Sequence, residues 1–144
     1  MKHTTLYILL MGILSPFLLN AQELSVKSFE QRLTDLSAST ASRMDNNGVY
    51  CALVKVQLAS PNAKFEGNIA GDVAYKTSEY WVYMPKGSKR LKVKLEGYLP
   101  LEVDFGDYGV ASLESKVVYC LVITGVVNNG KTEEFPTVQT GWLI

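Results

Sequence analysis

Histidine is almost missing from this chain: its one imidazole is His3, near the N-terminus. An excess of either charge is missing too, with 14 Lys+Arg against 14 Asp+Glu. A domain that grips nucleic acid carries a strong basic excess to displace phosphate counterions, so no nucleic-acid partner is expected. Two cysteines are too few for a four-thiolate metal site. The eleven glycines punctuate turns rather than cluster, and no GxSxG, Walker A or GxGxxG segment occurs. Charged residues make up only 19% against 47% hydrophobic, which excludes a largely disordered chain and supplies a core for one domain.

A long hydrophobic run is also absent. The apolar stretch Leu6–Leu19 covers 14 residues and is interrupted by Pro16, too short to cross a bilayer as a helix. Lys2 and His3 precede it and Asn20-Ala21 follows, the order of a secretory signal peptide. Cleavage is expected after Ala21, although Leu19 departs from the small residue preferred at minus three. No cysteine lies nearby for lipid attachment. Residues 22–144 then hold 13 basic and 14 acidic side chains and no histidine. Ser-His-Asp and Cys-His catalysis drop out, as do most zinc sites, so no cofactor and no bound transition metal is expected.

What is present is period-two patterning. Leu24, Val26 and Phe29 suggest a first strand, with the helical spacing of Phe29, Leu33 and Leu36 as the competing reading. Ser37–Ser42 reads as loop. Asp45-Asn46-Asn47-Gly48 is a turn opening Val49–Leu58, where Tyr50, Ala52, Val54, Val56 and Leu58 share one face. A short strand follows at Val73–Lys76, then Glu79–Met84, rich in aromatic and β-branched residues. In Arg90–Leu95, Leu91, Val93 and Leu95 alternate with Arg90, Lys92 and Lys94; Leu101, Val103 and Phe105 oppose Glu102 and Asp104. Lys116–Thr124, apolar on both faces, suits a central strand, and Asn128-Asn129-Gly130 turns toward Glu133–Pro136. The expected fold class is all-β, an antiparallel β-sandwich over residues 22–127, with 1–21 as signal peptide and 128–144 as C-terminal hairpin or linker.

The stretch MPKGSKRLKVKLEGYLPLEVDFG (Met84–Gly106) resembles the core of PEGA-type domains: a Pro/Gly turn, an alternating strand, a Gly-Tyr corner and a further strand. ELSVKSF, CALVKV, FEGNIAGDV and YWVYMPKGSKRLKVK are similar to the N-terminal β-module of Bacteroides-type secreted proteins, which precedes PEGA repeats or a formylglycine-generating-enzyme-like domain. The resemblance implies a PEGA- or immunoglobulin-like sandwich with a structural role, and it carries over no catalytic residue. It accommodates a cysteine at Cys51 but not at Cys120. In the longer proteins a Trp-Leu-Ile run begins the next module. Trp142-Leu143-Ile144 is accordingly expected to be the first strand of a further module, the alternative being an edge strand docked on this one.

Few residues stand out as site candidates. Cys51 and Cys120 form the one candidate disulfide, and an oxidising compartment allows it. Trp81 and Tyr83 share a strand face and, with Lys92 and Lys94 of the basic run Lys86–Lys94, are candidate ligand contacts. Core packing of the aromatics and a wet strand face for the lysines are the plainer readings. Glu102, Asp104 and Asp107 could hold Ca²⁺ or act as an acid/base pair, or simply face solvent. The expected function is a secreted, non-enzymatic module with a structural or interaction role at the cell envelope, in the periplasm or at the cell surface. Its partners would be envelope proteins or glycans, with no membrane span after cleavage. A carbohydrate-binding module using aromatics near Trp81 is the alternative, and a carboxylate-dependent hydrolase ranks last. Protein recovered from the extracytoplasmic fraction should have an intact mass lacking residues 1–21; a mass retaining them would show that the segment is an anchor or part of the fold.

Overall fold

The computed structural model describes residues 22–127 and 131–133, and over them the fold is all-β. Residues 1–21, read as a signal peptide, the turn read at Asn128–Gly130 and the module-opening strand expected at Trp142–Ile144 lie outside the described residues. In chain order the elements are β1 (Gln22–Arg32), α1 (Ser37–Thr40), β2 (Ala52–Gln57), β3 (Lys64–Glu66), β4 (Ala74–Lys76), β5 (Glu79–Met84), β6 (Arg90–Lys94), β7 (Tyr98–Leu99), β8 (Leu101–Asp104), a 3-10 turn (Phe105–Tyr108), β9 (Val118–Val127) and β10 (Lys131–Glu133). Among the described residues no helix is long and apolar enough to cross a membrane.

Two sheets result. The large one runs β4-β5-β2-β9-β1-β7, with β10 pairing the end of β9; the small one runs β3-β6-β8. The large sheet is mixed, which corrects the expectation of a purely antiparallel arrangement. β9 is antiparallel to β1 but parallel to β2, with Leu53 opposite Val118 and Gln57 opposite Val122, and β7 is parallel to β1. The physical reason is chain return: between β2 and β9 the chain builds the whole small sheet, a connection long enough for parallel pairing. β9 thereby gains a partner on each edge, which suits a strand that is apolar on both faces.

The inward faces of both sheets meet in one cluster. β2 supplies Ala52, Val54 and Val56, β5 supplies Tyr80, Val82 and Met84, and β9 supplies Tyr119, Leu121 and Ile123; the small sheet answers with Leu91, Val93 and Val103. Phe29 ties the layers together, stacked on Tyr119 of its own sheet at 5.6 Å and on Phe105, beyond β8, at 4.8 Å. Such offset pairs add to the area they bury. The buried hydroxyls are satisfied: Tyr80 donates to the Ser60 carbonyl, and Tyr119 accepts from the Glu114 N–H at 3.0 Å.

Two local expectations change, and one alternative is decided. Ser37–Ser42 is not all loop, because Asp35 accepts from the Ser37 N–H at 2.9 Å and Ser37–Thr40 closes one helical turn. Of the two readings for residues 128–144, hairpin or linker, Lys131–Glu133 takes the hairpin, pairing antiparallel with Gly125–Val127 as β10. The strand expected over Val49–Leu58 begins at Ala52, since Met44 bridges Tyr50 to close the Asp45–Gly48 hairpin first. In that turn Asp45 Oδ1 accepts from the N–H groups of Asn47 and Val49, and Gly48 takes φ 77°.

The alternation of β6 holds as written: Leu91 is fully buried while Lys92 stands on the outer face between Glu66 and Glu102. Leu91→Asp should unfold the domain or cost several kcal/mol, because an unpaired charge enters the core. Lys92→Asp should cost less than about 1 kcal/mol. Thermal melts of the two variants check the assignment, and equal losses would mean the register is different.

Candidate functional site

The outer face of the large sheet is built from the residues that alternate away from the core. Register aligns them in cross-strand rows: Arg32, Val118, Leu53 and Tyr83; then Glu30, Cys120, Lys55, Trp81 and Ala74; then Ser28, Val122, Gln57 and Glu79. The first row is roofed. Ala38 of α1 and Cys51 pack with Leu53, Tyr83 and Val118 in a second small core. Arg43 fastens this roof, donating from Nη1 to the carbonyls of Ala70 at 2.8 Å and Asp72 at 2.9 Å while its guanidinium lies 4.3 Å from the Tyr83 ring centre. Tyr83 in turn donates to the Ala41 carbonyl.

Where the roof ends, an open cleft of about 620 Å³ begins. Lys55, Gln57, Glu79 and Cys120 of the sheet form its floor, and residues 32–40 form its wall, with Arg32, Thr34, Asp35, Leu36, Ser37 and Thr40 facing in. Lys55 is the hinge of the arrangement. Its ammonium donates to Asp35 Oδ2 at 2.6 Å and to Ser37 Oγ at 2.9 Å, and sits 4.6 Å from the centre of the Trp81 ring. Lys76 approaches the same ring at 3.9 Å, and Trp81 Nε1 donates to Glu79 at 3.0 Å. The β4–β5 hairpin that holds Lys76 and Glu79 turns through Thr77 and Ser78, both at positive φ (49° and 64°). A β-branched residue in that region is strained, and it is held by the pairing on either side.

Two groups of the cleft, Asp35 and Cys120, are shifted away from neutrality. Burial alone would raise the Asp35 carboxyl, but the hydrogen bonds from Lys55 and from the Ser37 hydroxyl and N–H outweigh it and hold the group at about 2. Burial pushes the Cys120 thiol up, with Arg32 pulling against it. The carboxylate stays ionised and the thiol stays protonated, so the former is a fixed acceptor and the latter a poor nucleophile.

The residues singled out by sequence divide between the two sheets. Trp81 and Tyr83 share the outer face of the large sheet as expected, but Tyr83 is sealed under the roof and the Trp81 ring is already met by two ammonium groups. Lys92 and Lys94 stand on the small sheet and do not converge with Trp81. Lys94 pairs with Glu66 at 2.5 Å, and Arg90 reaches Asp104 at 3.4 Å and Glu102 at 3.7 Å. The basic run is therefore one colour of a charge checkerboard. Glu102 and Asp104 are the other colour, on an open sheet face outside the cleft, and Asp107 follows in the 3-10 turn. The candidate disulfide is not formed: both thiols are free and buried. Lys116 donates its N–H to the Cys51 carbonyl while Cys120 lies opposite Lys55, an offset of about four residues or 13 Å along the strands, well beyond bonding distance. The cleft residues that sequence reading missed, Arg32, Asp35, Lys55, Gln57 and Glu79, belong to four separate segments. The polar interruptions Lys55 and Gln57 in an otherwise apolar strand were the available signal.

No protein-family model, no curated protein and no solved structure matches this chain.

The half-buried ion pair makes a pH prediction with a defined sign. Asp35 falls from 3.8 to about 2 on folding, so its stabilisation is complete above about pH 4 and is lost as pH drops toward 2. Asp35→Asn should cost about 1–2 kcal/mol at pH 7, and its stability should fall less steeply than that of the parent between pH 4 and 2. Urea unfolding across that range measures both; parallel pH profiles would show that Lys55 contributes nothing through Asp35.

Proposed function

We propose that this chain is an exported, non-enzymatic β-sandwich module of PEGA- or immunoglobulin-like type that works by contact at the cell envelope, with the cleft on its large sheet as the contact surface. The observation that carries the reading is the state of that cleft. It is preformed and polar, and its charged groups are tied to one another: Lys55 to Asp35 and Ser37, Glu79 to Trp81. Acid/base catalysis needs a group poised near the working pH, whereas Asp35 is held at about 2 and the Cys120 thiol is pushed up. A fixed set of donors and acceptors that does not exchange protons near neutrality is what binding requires. The two packed faces and the alternating strands support a sandwich, and the leader-like N-terminus supports export.

The test is co-sedimentation of the exported protein with isolated cell envelopes. The parent should sediment with them, and Gln57→Trp, which fills the cleft floor with an indole, should remain in the supernatant with an unchanged melting temperature. A parent protein that stays wholly soluble, or a Gln57→Trp variant that sediments equally well, would overturn the reading.

A further inference from the structure

We propose that the cleft accepts an uncharged polyhydroxylated ligand, a neutral glycan segment, an assignment that rests on the cleft being the contact surface. Three features carry it. First, the volume of about 620 Å³ falls within the usual range for small-ligand sites. Second, the lining holds two cations, Arg32 and Lys55, and two carboxylates, Asp35 and Glu79, and each has a partner in place: Lys55 with Asp35 at 2.6 Å, Arg32 with Glu30 at 3.7 Å, Glu79 with the Trp81 N–H at 3.0 Å. An ionic ligand would have to open the Lys55–Asp35 pair to reach either member, and with two cations and two carboxylates in the lining it would meet a balanced field. Third, the groups left to bond a ligand are the Gln57 amide and the Thr34 hydroxyl, with the lone pairs that remain on Thr40, whose hydroxyl donates to the Leu36 carbonyl at 3.1 Å, and on Ser37, whose hydroxyl donates to Asp35 at 2.5 Å and accepts from Lys55 at 2.9 Å. Amides and hydroxyls both donate and accept, as sugar hydroxyls do. Leu36, 64% exposed at the rim, offers an apolar surface for the C–H face of a ring.

An extended peptide fits less well. Peptides that dock on sheets do so by main-chain pairing along a free edge. The floor strands β2, β5 and β9 are paired on both edges, so the cleft presents side chains and no open ladder. The indole is not the stacking platform either, since two ammonium groups already approach its ring; the recognition falls to the planar polar groups beside it.

The experiment is a titration of isotope-labelled exported protein, followed through its backbone amide resonances. The probes are cellohexaose, xylohexaose, mannohexaose and chitohexaose, with trigalacturonate and sialyllactose as anionic counterparts. At least one neutral probe should give saturable shifts at Asp35, Ser37 and Gln57, with affinity changing less than about twofold between low and high salt. Gln57→Ala should weaken that binding about five- to tenfold without altering the melting temperature, and Lys92→Ala should leave it unchanged. Absence of shifts with every neutral probe up to about 10 mM, shifts confined to the small sheet, or salt-sensitive binding of the anionic probes alone would overturn the assignment. The envelope co-sedimentation separates the two failures: a protein that sediments through its cleft yet ignores neutral glycans loses the ligand class and keeps the contact surface.

Discussion

A strand that is apolar on both faces cannot sit at an edge or face water, and the rest of this molecule follows from placing one such strand. β9 carries Tyr119, Leu121 and Ile123 toward the small sheet and Val118, Cys120 and Val122 the other way. Burying it requires a neighbour on each edge and a layer on each face. β1 and β2 supply the neighbours, the small sheet supplies one layer, and residues 33–51 supply part of the other. The parallel pairing of β2 with β9 is a consequence: the chain has to build the small sheet before its most apolar strand can be enclosed.

The outer layer is incomplete, and that incompleteness makes the cleft. The roof buries one row of the outer face, Val118, Leu53 and Tyr83. One row further on the sheet carries Lys55 and Trp81, and beyond them Gln57 and Glu79. Sequence and cover thus change together within two positions along β2 and β5. Lys55 stands at the boundary with its side chain 13% exposed, and so its charge had to be met by Asp35 from the wall; a lone ammonium at that depth would be costly. The ion pair sets the height of the wall above the floor, which gives the cleft a fixed width.

Much of the architecture was legible because period-two alternation reports burial directly. Leu91, Val93, Val103, Ala52, Val54 and Val56 all face the core as their spacing implies, and Lys116–Thr124 reads as central from its two apolar faces. Strand direction was not legible. Alternation is the same for parallel and antiparallel partners, and the pairing of β2 with β9 depends on a connection far longer than any local signal. Both strands of the β4–β5 hairpin were legible, at Val73–Lys76 and Glu79–Met84, but their turn was not, because it uses Thr77-Ser78 where a tight turn of this kind favours Asn-Gly. The cleft was legible only in fragments: Trp81 was noticed for its ring, while Asp35 and Lys55, 20 positions apart, show no pattern until register brings them to 2.6 Å.

The two solvent-facing sheets handle charge in opposite ways, and the contrast bears on what each can do. On the small sheet cations and anions alternate across β3, β6 and β8, with side chains 41–67% exposed in the Lys94–Glu66 and Arg90 pairs. Pairs so exposed contribute little to stability and re-form freely, so this face remains soluble and non-committal, and its lysines discourage edge-to-edge association. On the large sheet the Lys55–Asp35 pair is half-buried, hydrogen-bonded to Ser37 and laid against an indole. These contacts fix its geometry within the folded protein, which under the proposed binding role would lower the ordering cost of recognition. The cleft charges are thus held in one arrangement at a break in the cover, whereas Arg90, Lys92 and Lys94 stand on an open face. The density of charge in the sequence marks the open face of the small sheet, whereas the enclosed charges of the cleft come from separate stretches of chain that only register brings together.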